Sequence, residues 1–428
     1  MDTLQRADRG LTHFFKMLTM SAADRANSVN RGLVEYNPCE VRAFFEPSQG
    51  VFNAVISGGE QNLRISAMVA QAVCAFKNNF PVIVLHESNQ ELGQQLKKFF
   101  SRTGNYYEIS PLTPCFEPFY GLNSLEIANQ IIETATKDYD VKVNMRYYID
   151  GISSLIKAKK QNLSFKLFST CPHAIIFDKI DELQLQGKIS DNDAQEIKSK
   201  IMMGQSENYK LDAFLASLRM EIEPLMYVNK QGLKPVNIIS TLKKHSVLCF
   251  DIASVTNKLL LNTIIYQLKL ALTKGIRYGI IIDSIPIKSN EMYASYLRSL
   301  SDNICKTIVS DDFYSMVGSD EKIFSSLIGN SQILIVMSHT SGHSATKWAE
   351  AFGQYDKCEE SYSKSKGANK STPFSILPSP TYSYSVSTSL KREYIVKPEA
   401  ITRMRNGEAY VLSMARGELA HLFLTTDR

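Results

Sequence analysis

The stretch from residue 51 to residue 100 constrains this chain more than any other. An apolar run at 51–57 (VFNAVIS) ends in Gly58-Gly59 and leads into a helical stretch from 63 to 76. Residues 81–85 (PVIVL) form a short apolar run of buried-strand length, and a second helical stretch covers 90–100. Strand, glycine turn, helix, strand, helix is the sequence form of a βαβ unit. The same texture returns downstream. Residues 246–250, 278–282 ending on Asp283, 306–309 and 332–337 read as strands, with an amphipathic helix at 257–273. The expected fold class is therefore α/β with a mostly parallel sheet.

Between 122 and 236 the strand-like runs thin out, although 174–177 (AIIF) still reads as one. Leu122, Leu125, Ala128, Ile131 and Ile132 recur at helical spacing, as do Tyr148, Ile152, Leu155 and Ile156. Asp191 reads as the N-cap of a helix over 192–202, and a further helix over 212–223 stops at Pro224. The expected organisation is an N-terminal helical segment with a lead-in strand (1–47), a core in two parts (48–121 and 237–428) and an all-alpha insertion (122–236). Residues 357–392, rich in serine with Gly367, Pro373, Pro378 and Pro380, read as a long surface loop or a partly ordered arm. A short helix over 399–405 and a C-terminal β-hairpin, 408–414 with 419–424 turning near Arg416-Gly417, close the chain. A length of 428 residues suits two or three domains.

Composition excludes several classes. Hydrophobic residues are 44% and charged residues 21%, so a sizeable core forms and wholesale disorder is excluded. A net charge of +5 is too mild to imply nucleic-acid binding by itself. Cysteines stand at 39, 74, 115, 171, 249, 305 and 358, with no CxxC half-site for zinc or redox chemistry. An odd count without a secretory signal points to free thiols in the cytoplasm. The longest charge-free stretch, 323–346, contains Ser325, Asn330, Gln332, His339 and His343. It reads as a turn and a buried strand rather than a membrane span, which needs about 20 mostly apolar residues. Leu11, Phe14, Phe15, Met17 and Leu18, broken by Arg6, Asp8, Arg9 and Lys16, read as a packing or surface helix.

The first βα turn stands where a P-loop, G-x-x-x-x-G-K-[ST], would sit. The run here is Gly58-Gly59-Glu60-Gln61-Asn62-Leu63-Arg64-Ile65. Leu63 replaces the second glycine, and its Cβ resists the conformations that close a backbone on phosphates. Arg64 keeps the lysine's charge as a larger planar fork. It reads either as a phosphate ligand or as a surface arginine at a helix start. Ile65 offers no hydroxyl to Mg²⁺, and Glu60 adds negative charge where phosphate charge would collect. The strand ending in Asp283 has the Walker B form, an apolar run feeding an acid. Asp283 reads as a metal-orienting acid or as its relic. Ser284 stands where many such ATPases carry a water-activating glutamate, and serine is no substitute base. The frames of both motifs survive while their chemical positions are eroded.

Other constellations have plainer readings. Asp311-Asp312 at a strand end read as solvated turn acids, and Trp348 as helix-packing core. His339 and His343 are four apart, but Thr340 and Gly342 do not make a metal-binding helix, so no metal site is expected. Lys157, Lys159 and Lys160, with Lys198 and Lys200, read as solvated helix faces or as a surface for nucleic acid or acidic partners. No GxSxG run supports a hydrolase.

Several segments together resemble the type IV secretion coupling proteins, the TraG/TraD-like group of RecA-like motors related to FtsK and HerA translocases. Residues 85–92 (LHESNQEL) look like that family's strand-end T-D-P-K-G-E-L, with Glu87 at the Asp, Asn89 at the Lys and Glu91 at the Glu. Residues 107–111 and 116–118 look like its following proline turns. Residues 246–260 look like the strand before its Walker B segment, 313–353 like its later conserved stretch, and 397–411 like its C-terminal hairpin. The order is right from about residue 50 to 426. The resemblance implies a RecA-like P-loop-type core and an all-alpha domain that receives substrate and adaptor proteins. It also implies bacterial conjugation or DNA transfer, partner subunits in a homo- or hetero-oligomer, DNA, and a place at the inner membrane reached through partners. The family's glutamine near Val309 is absent, since residues 305–331 contain none. Two expectations follow: a pseudo-ATPase that recruits substrates or sister subunits, or an active ATP-dependent translocase using ATP/Mg²⁺ at a weakened site through Arg64 and Asp283.

Overall fold

The computed structural model describes residues 38–135, 145–170, 175–204, 208–227, 233–287, 290–299, 301–369, 379–414 and 417–426, together with 24, 27, 29 and 31–35. The helix expected around Leu11 to Leu18, the thiol of Cys171 and the turn residue Arg416 lie outside them. Contacts divide the chain into two units, one of Cys39–Ile335 with Leu424–Arg428, the other of Met1–Pro38 with Val336–Phe423.

The first of these is built on a parallel sheet. In chain order its first elements are β1 (Ala54–Ser57), α1 (Gln61–Lys77), β2 (Val82–His86), α2 (Gln90–Phe100) and β3 (Tyr106–Ile109). A helical run follows: α3 (Ser124–Thr134), α4 (Met145–Ala158), α5 (Phe165–Ser169), α6 (Ile176–Leu185), α7 (Asp191–Gly204) and α8 (Asn208–Ile222). Then come α9 (Ile238–Lys243), β4 (Val247–Asp251), α10 (Lys258–Thr273), β5 (Tyr278–Asp283), α11 (Glu291–Arg298), β6 (Ile304–Ser310), α12 (Phe313–Met316), α13 (Glu321–Gly329) and β7 (Ile333–Met337), of which residues 333–335 belong to this unit. The strand order is β7-β1-β6-β5-β2-β4-β3. From β1 to β3 each recorded neighbour pair is parallel. Strands β1, β2, β4, β5 and β6 are buried along their whole length. That burial is why they read as continuous apolar runs rather than alternating ones.

Helix α10 is the seat of the helical run. Every residue from Leu259 to Leu268 is buried, so its polar side chains must find partners inside. Gln267 donates to the Pro118 carbonyl (2.7 Å) and to Gln130 (3.2 Å), and its Oε1 accepts the Ile238 N–H (3.2 Å). Asn262 donates to the Thr134 carbonyl at the end of α3 (3.1 Å). The Glu221 carboxylate of α8 accepts the Leu260 N–H (2.8 Å), capping the start of α10. Lys274 closes an ion pair with Glu126. At the root of the run, buried Glu117 accepts the N–H groups of Phe165 (2.7 Å) and Phe119 (3.2 Å). Burial pushes its carboxyl up to about 7 against the pull of those two donors.

Three expectations are corrected here. Residues 175–177 are not a strand: Ile176 opens α6, with its side chain buried against other helices, while Ala174 lies outside the described residues. The cap of α7 is Ser190, not Asp191. The Ser190 hydroxyl accepts the Asp193 N–H (3.1 Å) and Asp193 returns the bond to the Ser190 N–H (3.3 Å), a reciprocal cap. Residues 323–329 are helical within α13 rather than a turn, because Asp320 caps Lys322 and Ile323 (2.9 and 3.0 Å) and starts the helix.

Helix α11 is fixed at both ends. Asn290 accepts the Tyr293 N–H (3.0 Å) as its N-cap and donates to Asn262 (2.7 Å). At the other end the Lys306 ammonium, buried on β6, donates to the carbonyls of Tyr296 (2.8 Å), Leu297 (3.1 Å) and Ser299. A cation at the carbonyl end of a helix is well placed, but burial brings Lys306 down to about 8.

The other unit contains α14 (Gly342–Phe352), β8 (Gln354–Asn369), β9 (Ser379–Tyr394), α15 (Pro398–Thr402), β10 (Glu408–Ser413) and β11 (Glu418–Thr425), whose last two residues fall outside it. Strands β10 and β11 form the antiparallel C-terminal hairpin, and the short strand Leu33–Glu35 adds to β11 in parallel. Trp348 is wholly buried, with Phe352 and His339 near its ring. The loop expected over 357–392 is instead a pair of sixteen-residue strands, in antiparallel register from Gln354↔Tyr394 to Asn369↔Ser379. Residues 370–378 lie outside the described residues. The serine that made the segment look like a loop alternates with other residues. The exposed hydroxyls of Ser361 and Ser387 (2.5 Å) and of Ser363 and Ser385 (2.7 Å) meet across the ribbon as cross-strand pairs. Among the described residues no helix is long and apolar enough to cross a membrane.

Two outcomes test this packing. A Cβ added at Gly151 of α4 would meet Ile201 Cγ1 of α7 at 2.6 Å and the Ile201 backbone nitrogen at 3.2 Å. Gly151→Ala should therefore lower unfolding stability by about 1–3 kcal/mol in urea. The folded Lys306 value of about 8 lies below its ordinary 10.5. The unfolded chain therefore holds more protons between those values, and stability rises with pH from about 8 to about 10. In Lys306→Met that rise is absent from denaturation curves taken across the same range.

Candidate functional site

A parallel sheet gathers the C-terminal ends of its strands at one edge, where open α/β sheets place their ligands. Here that edge carries the glycine turn after β1, His86 to Asn89 after β2, Asp251 ending β4, Asp283 ending β5 and Asp311 after β6. Strand β6 lies between β1 and β5. A cleft of about 270 Å³ opens among Arg64, Glu87, Asn89, Asp283, Ser284 and Asp311.

The turn after β1 is short. Gly58 (φ 85°) and Gly59 (φ 70°) take left-handed conformations that favour glycine, and the Gly58 N–H donates to the Ser310 carbonyl of β6 (3.0 Å). Helix α1 then starts at Gln61. The helix thus begins two residues before the expected start at 63, Asn62, Leu63, Arg64 and Ile65 lie inside it, and the turn is a three-residue corner, 58–60. Leu63 and Ile65 point into the core, 5% and 3% exposed. Glu60, Gln61 and Asn62 are exposed. The Arg64 guanidinium turns back and donates through Nη1 to the carbonyls of Gly58 (3.2 Å) and Gly59. It stands half-exposed in the first turn of α1 and clasps its own loop.

The acid at the end of β5 is engaged as well. Asn89 Nδ2 donates to Asp283 Oδ2 (2.6 Å), and the Ser284 hydroxyl donates to Asp283 Oδ1 (3.0 Å). Asn89 is itself fixed, because its Oδ1 accepts the Leu92 N–H (3.1 Å) as the N-cap of α2 and its own N–H donates to His86 Nδ1 (3.2 Å). That bond places the His86 hydrogen on Nε2, 3.2 Å from the Cys249 sulfur. Burial lowers the His86 pKa, against the raising fields of Asp251, Asp283 and Glu108. Burial also pushes Cys249 up to about 12, so the pair is a neutral packed contact and not an activated thiolate. Ser284 (φ 55°), Ser88 (φ 51°) and Ala253 (φ 60°) all adopt left-handed turns just beyond strand ends. Asp251 holds two of these turns, accepting the N–H groups of Ser88 (3.0 Å) and Ala253 (2.9 Å) on one oxygen.

The remaining sequence candidates separate. Asp312 caps α12, accepting the Ser315 N–H (3.1 Å) and hydroxyl (2.8 Å), while Asp311 stays exposed in the cleft. His339 Nδ1 donates to the Met337 carbonyl (2.7 Å) in the other unit. Among the described residues no group of three or more His, Cys, Asp or Glu is arranged to hold a metal ion. Lys198 pairs with Asp181, and Lys200 with Asp150 (2.9 Å) and Glu196 (2.6 Å), so these lysines are largely neutralised within the helical run. Asn89, His86 and Asp251 are the residues whose roles the sequence reading did not see. Asp251 carried a visible signal, since 247–251 is an apolar strand ending in an acid like 278–283.

The surviving frame, a glycine corner and an acid-ended strand at one sheet edge with a strand between them, is that of a RecA-like P-loop-type α/β core. No protein-family model matches the chain, and no curated protein matches it in sequence. Solved structures do. The bacterial conjugative coupling protein TrwBΔN70, in its unbound monoclinic form, is 13% identical with a TM-score of 0.50, covering 90% of this chain and 86% of that one. The plasmid coupling protein TrwB in complex with ADP and Mg²⁺ is 13% identical with a TM-score of 0.52, covering 94% and 92%. Its complex with a non-hydrolysable ATP analogue matches equally, at 13% and 0.52. The chain has the fold of the conjugative coupling proteins.

Both oxygens of Asp283 accept hydrogen bonds from side chains, position 65 is a buried isoleucine, and Arg64 is folded onto its loop. Glu87, Asp283 and Asp311 leave the cleft acidic, which opposes phosphate. Removing Asp251 strands two N–H groups in left-handed turns. Asp251→Ala should cost about 2–4 kcal/mol in thermal or chemical unfolding. Asn89→Ala, which removes both the cap of α2 and one of the two side-chain donors to Asp283, should cost about 1–3 kcal/mol.

Proposed function

We propose that this chain is a coupling-protein-like pseudo-ATPase, a binding and assembly subunit of a type IV secretion or conjugative DNA-transfer apparatus. The observation that carries this reading is the closure of the site by its own side chains: Asn89 and Ser284 occupy Asp283, and Arg64 occupies the carbonyls of Gly58 and Gly59. Phosphoryl transfer relies on positioned charge and metal, and those groups here are bonded to one another. The fold shared with TrwB supports the apparatus. In this reading 48–121 and 237–428 form the core, the insertion 122–236 receives substrate or adaptor proteins, and the chain reaches the inner membrane through partners.

Calorimetry of MgATP on the purified protein, with hydrolysis followed in parallel and with and without DNA, tests it. The expected outcome is no binding up to millimolar ATP and no turnover. Micromolar binding with turnover that Asp283→Ala abolishes would overturn the proposal and establish a translocase with a non-standard P-loop.

A further inference from the structure

A trough of about 630 Å³ runs over the outer face of α11, between Lys269 of α10 and the start of α13 at Asp320 to Ile323. It shares no residue with the cleft at the strand ends. Its floor is low because α11 presents Ala294 and Ser295 there. The floor is also stiff: Asn290 ties the N-terminus of α11 to Asn262, and Lys306 ties its C-terminus. A surface held in one geometry loses little entropy on binding.

Three cations face this trough, Lys269, Arg298 and Lys322, and all three are exposed. Among the described residues no ion pair takes any of them. Of the two acids present, Asp320 already accepts the N–H groups of Lys322 and Ile323, and Glu291 stands at the start of α11. Half-buried Met292 and Ile323 add apolar surface to the same trough, with buried Ile287 beneath it.

We propose that this trough docks an extended acidic segment of a protein partner, one in which carboxylates alternate with apolar side chains. The Arg298 fork suits a carboxylate in two-point contact, and the two ammonium groups on the walls supply longer-range attraction. The apolar surface of Met292 and Ile323 accepts the intervening side chains. A nucleic acid fits less well. Among the described residues the trough has no aromatic ring on which bases could stack, and its half-buried Met292 and Ile323 suit apolar side chains rather than a phosphate backbone.

The test is fluorescence anisotropy on the full chain with three labelled probes: a peptide alternating glutamate and leucine, its lysine–leucine counterpart, and a single-stranded oligodeoxynucleotide. The acidic peptide should bind, weaken with added salt, and lose affinity by about tenfold or more in the Arg298→Glu, Lys322→Glu double variant. Glu291→Gln, which leaves the floor in place, should tighten the same peptide about two- to fivefold. Circular dichroism checks that each variant is folded. Absence of acidic-peptide binding at millimolar concentration overturns the proposal. So does an affinity unchanged in both variants. Preferential binding of the oligonucleotide, lost in the double variant, overturns it in favour of a nucleic-acid surface.

Discussion

The hydrogen bond from Asn89 to Asp283 joins the ends of two adjacent strands, and much of the site's geometry depends on it. The asparagine side chain works at both ends. Its oxygen caps α2, which fixes where that helix starts, and its amide nitrogen donates to the acid that ends β5. A lysine in the same place, the residue the coupling-protein resemblance leads one to expect, carries three donors and no acceptor. It could pair with the acid but could not cap the helix. The substitution exchanges a mobile charge for a fixed bridge. His86 reinforces the exchange, because accepting the Asn89 N–H on Nδ1 requires the neutral tautomer that its burial favours.

The same economy of buried polar groups holds the helical run on the core. Gln267 and Asn262 sit on a helix buried from every side, where an unpaired amide would cost about 1–3 kcal/mol. Their partners are backbone carbonyls at Pro118 and Thr134 and the side chain of Gln130. These contacts are specific in direction, unlike apolar packing, so they fix the register of the helical run against α10. Asn262 then passes the constraint to Asn290 and so to α11. The position of one short helix is tied through two asparagines to the end of α3.

The sheet was legible in the sequence because a parallel strand buried on both faces reads as a nearly continuous apolar run, and β2, β4, β5 and β7 show that signature, while β6 carries it despite Lys306 and Thr307. The glycine corner and Asp283 were legible for a related reason, since the turn chemistry leaves few residues to choose from. What escaped was long-range or low-contrast. The bond between Asn89 and Asp283 spans 194 residues, and nothing local at either position announces the other. The ribbon of β8 and β9 was hidden by composition. Serine is a turn-former, and its two-residue period has little apolar contrast for a burial pattern to display. Ile176 was misread because a short apolar run fits a buried helix as well as a strand.

The strand-end edge keeps its shape through bonds among its own groups. The three left-handed turns at Ser88, Ala253 and Ser284 are conformations that side chains with a Cβ adopt at a cost of order 1–3 kcal/mol each. They persist because the surrounding hydrogen bonds over-determine them: Asp251 accepts from two of the turns, and the Ser284 N–H donates to the Val309 carbonyl of β6. None of these bonds involves a phosphate or a metal. Once Asn89 and Arg64 had turned their donors inward, the strand ends were already tied into a closed frame. In the pseudo-ATPase reading proposed above, such a frame offers a rigid, acidic surface suited to a lasting contact.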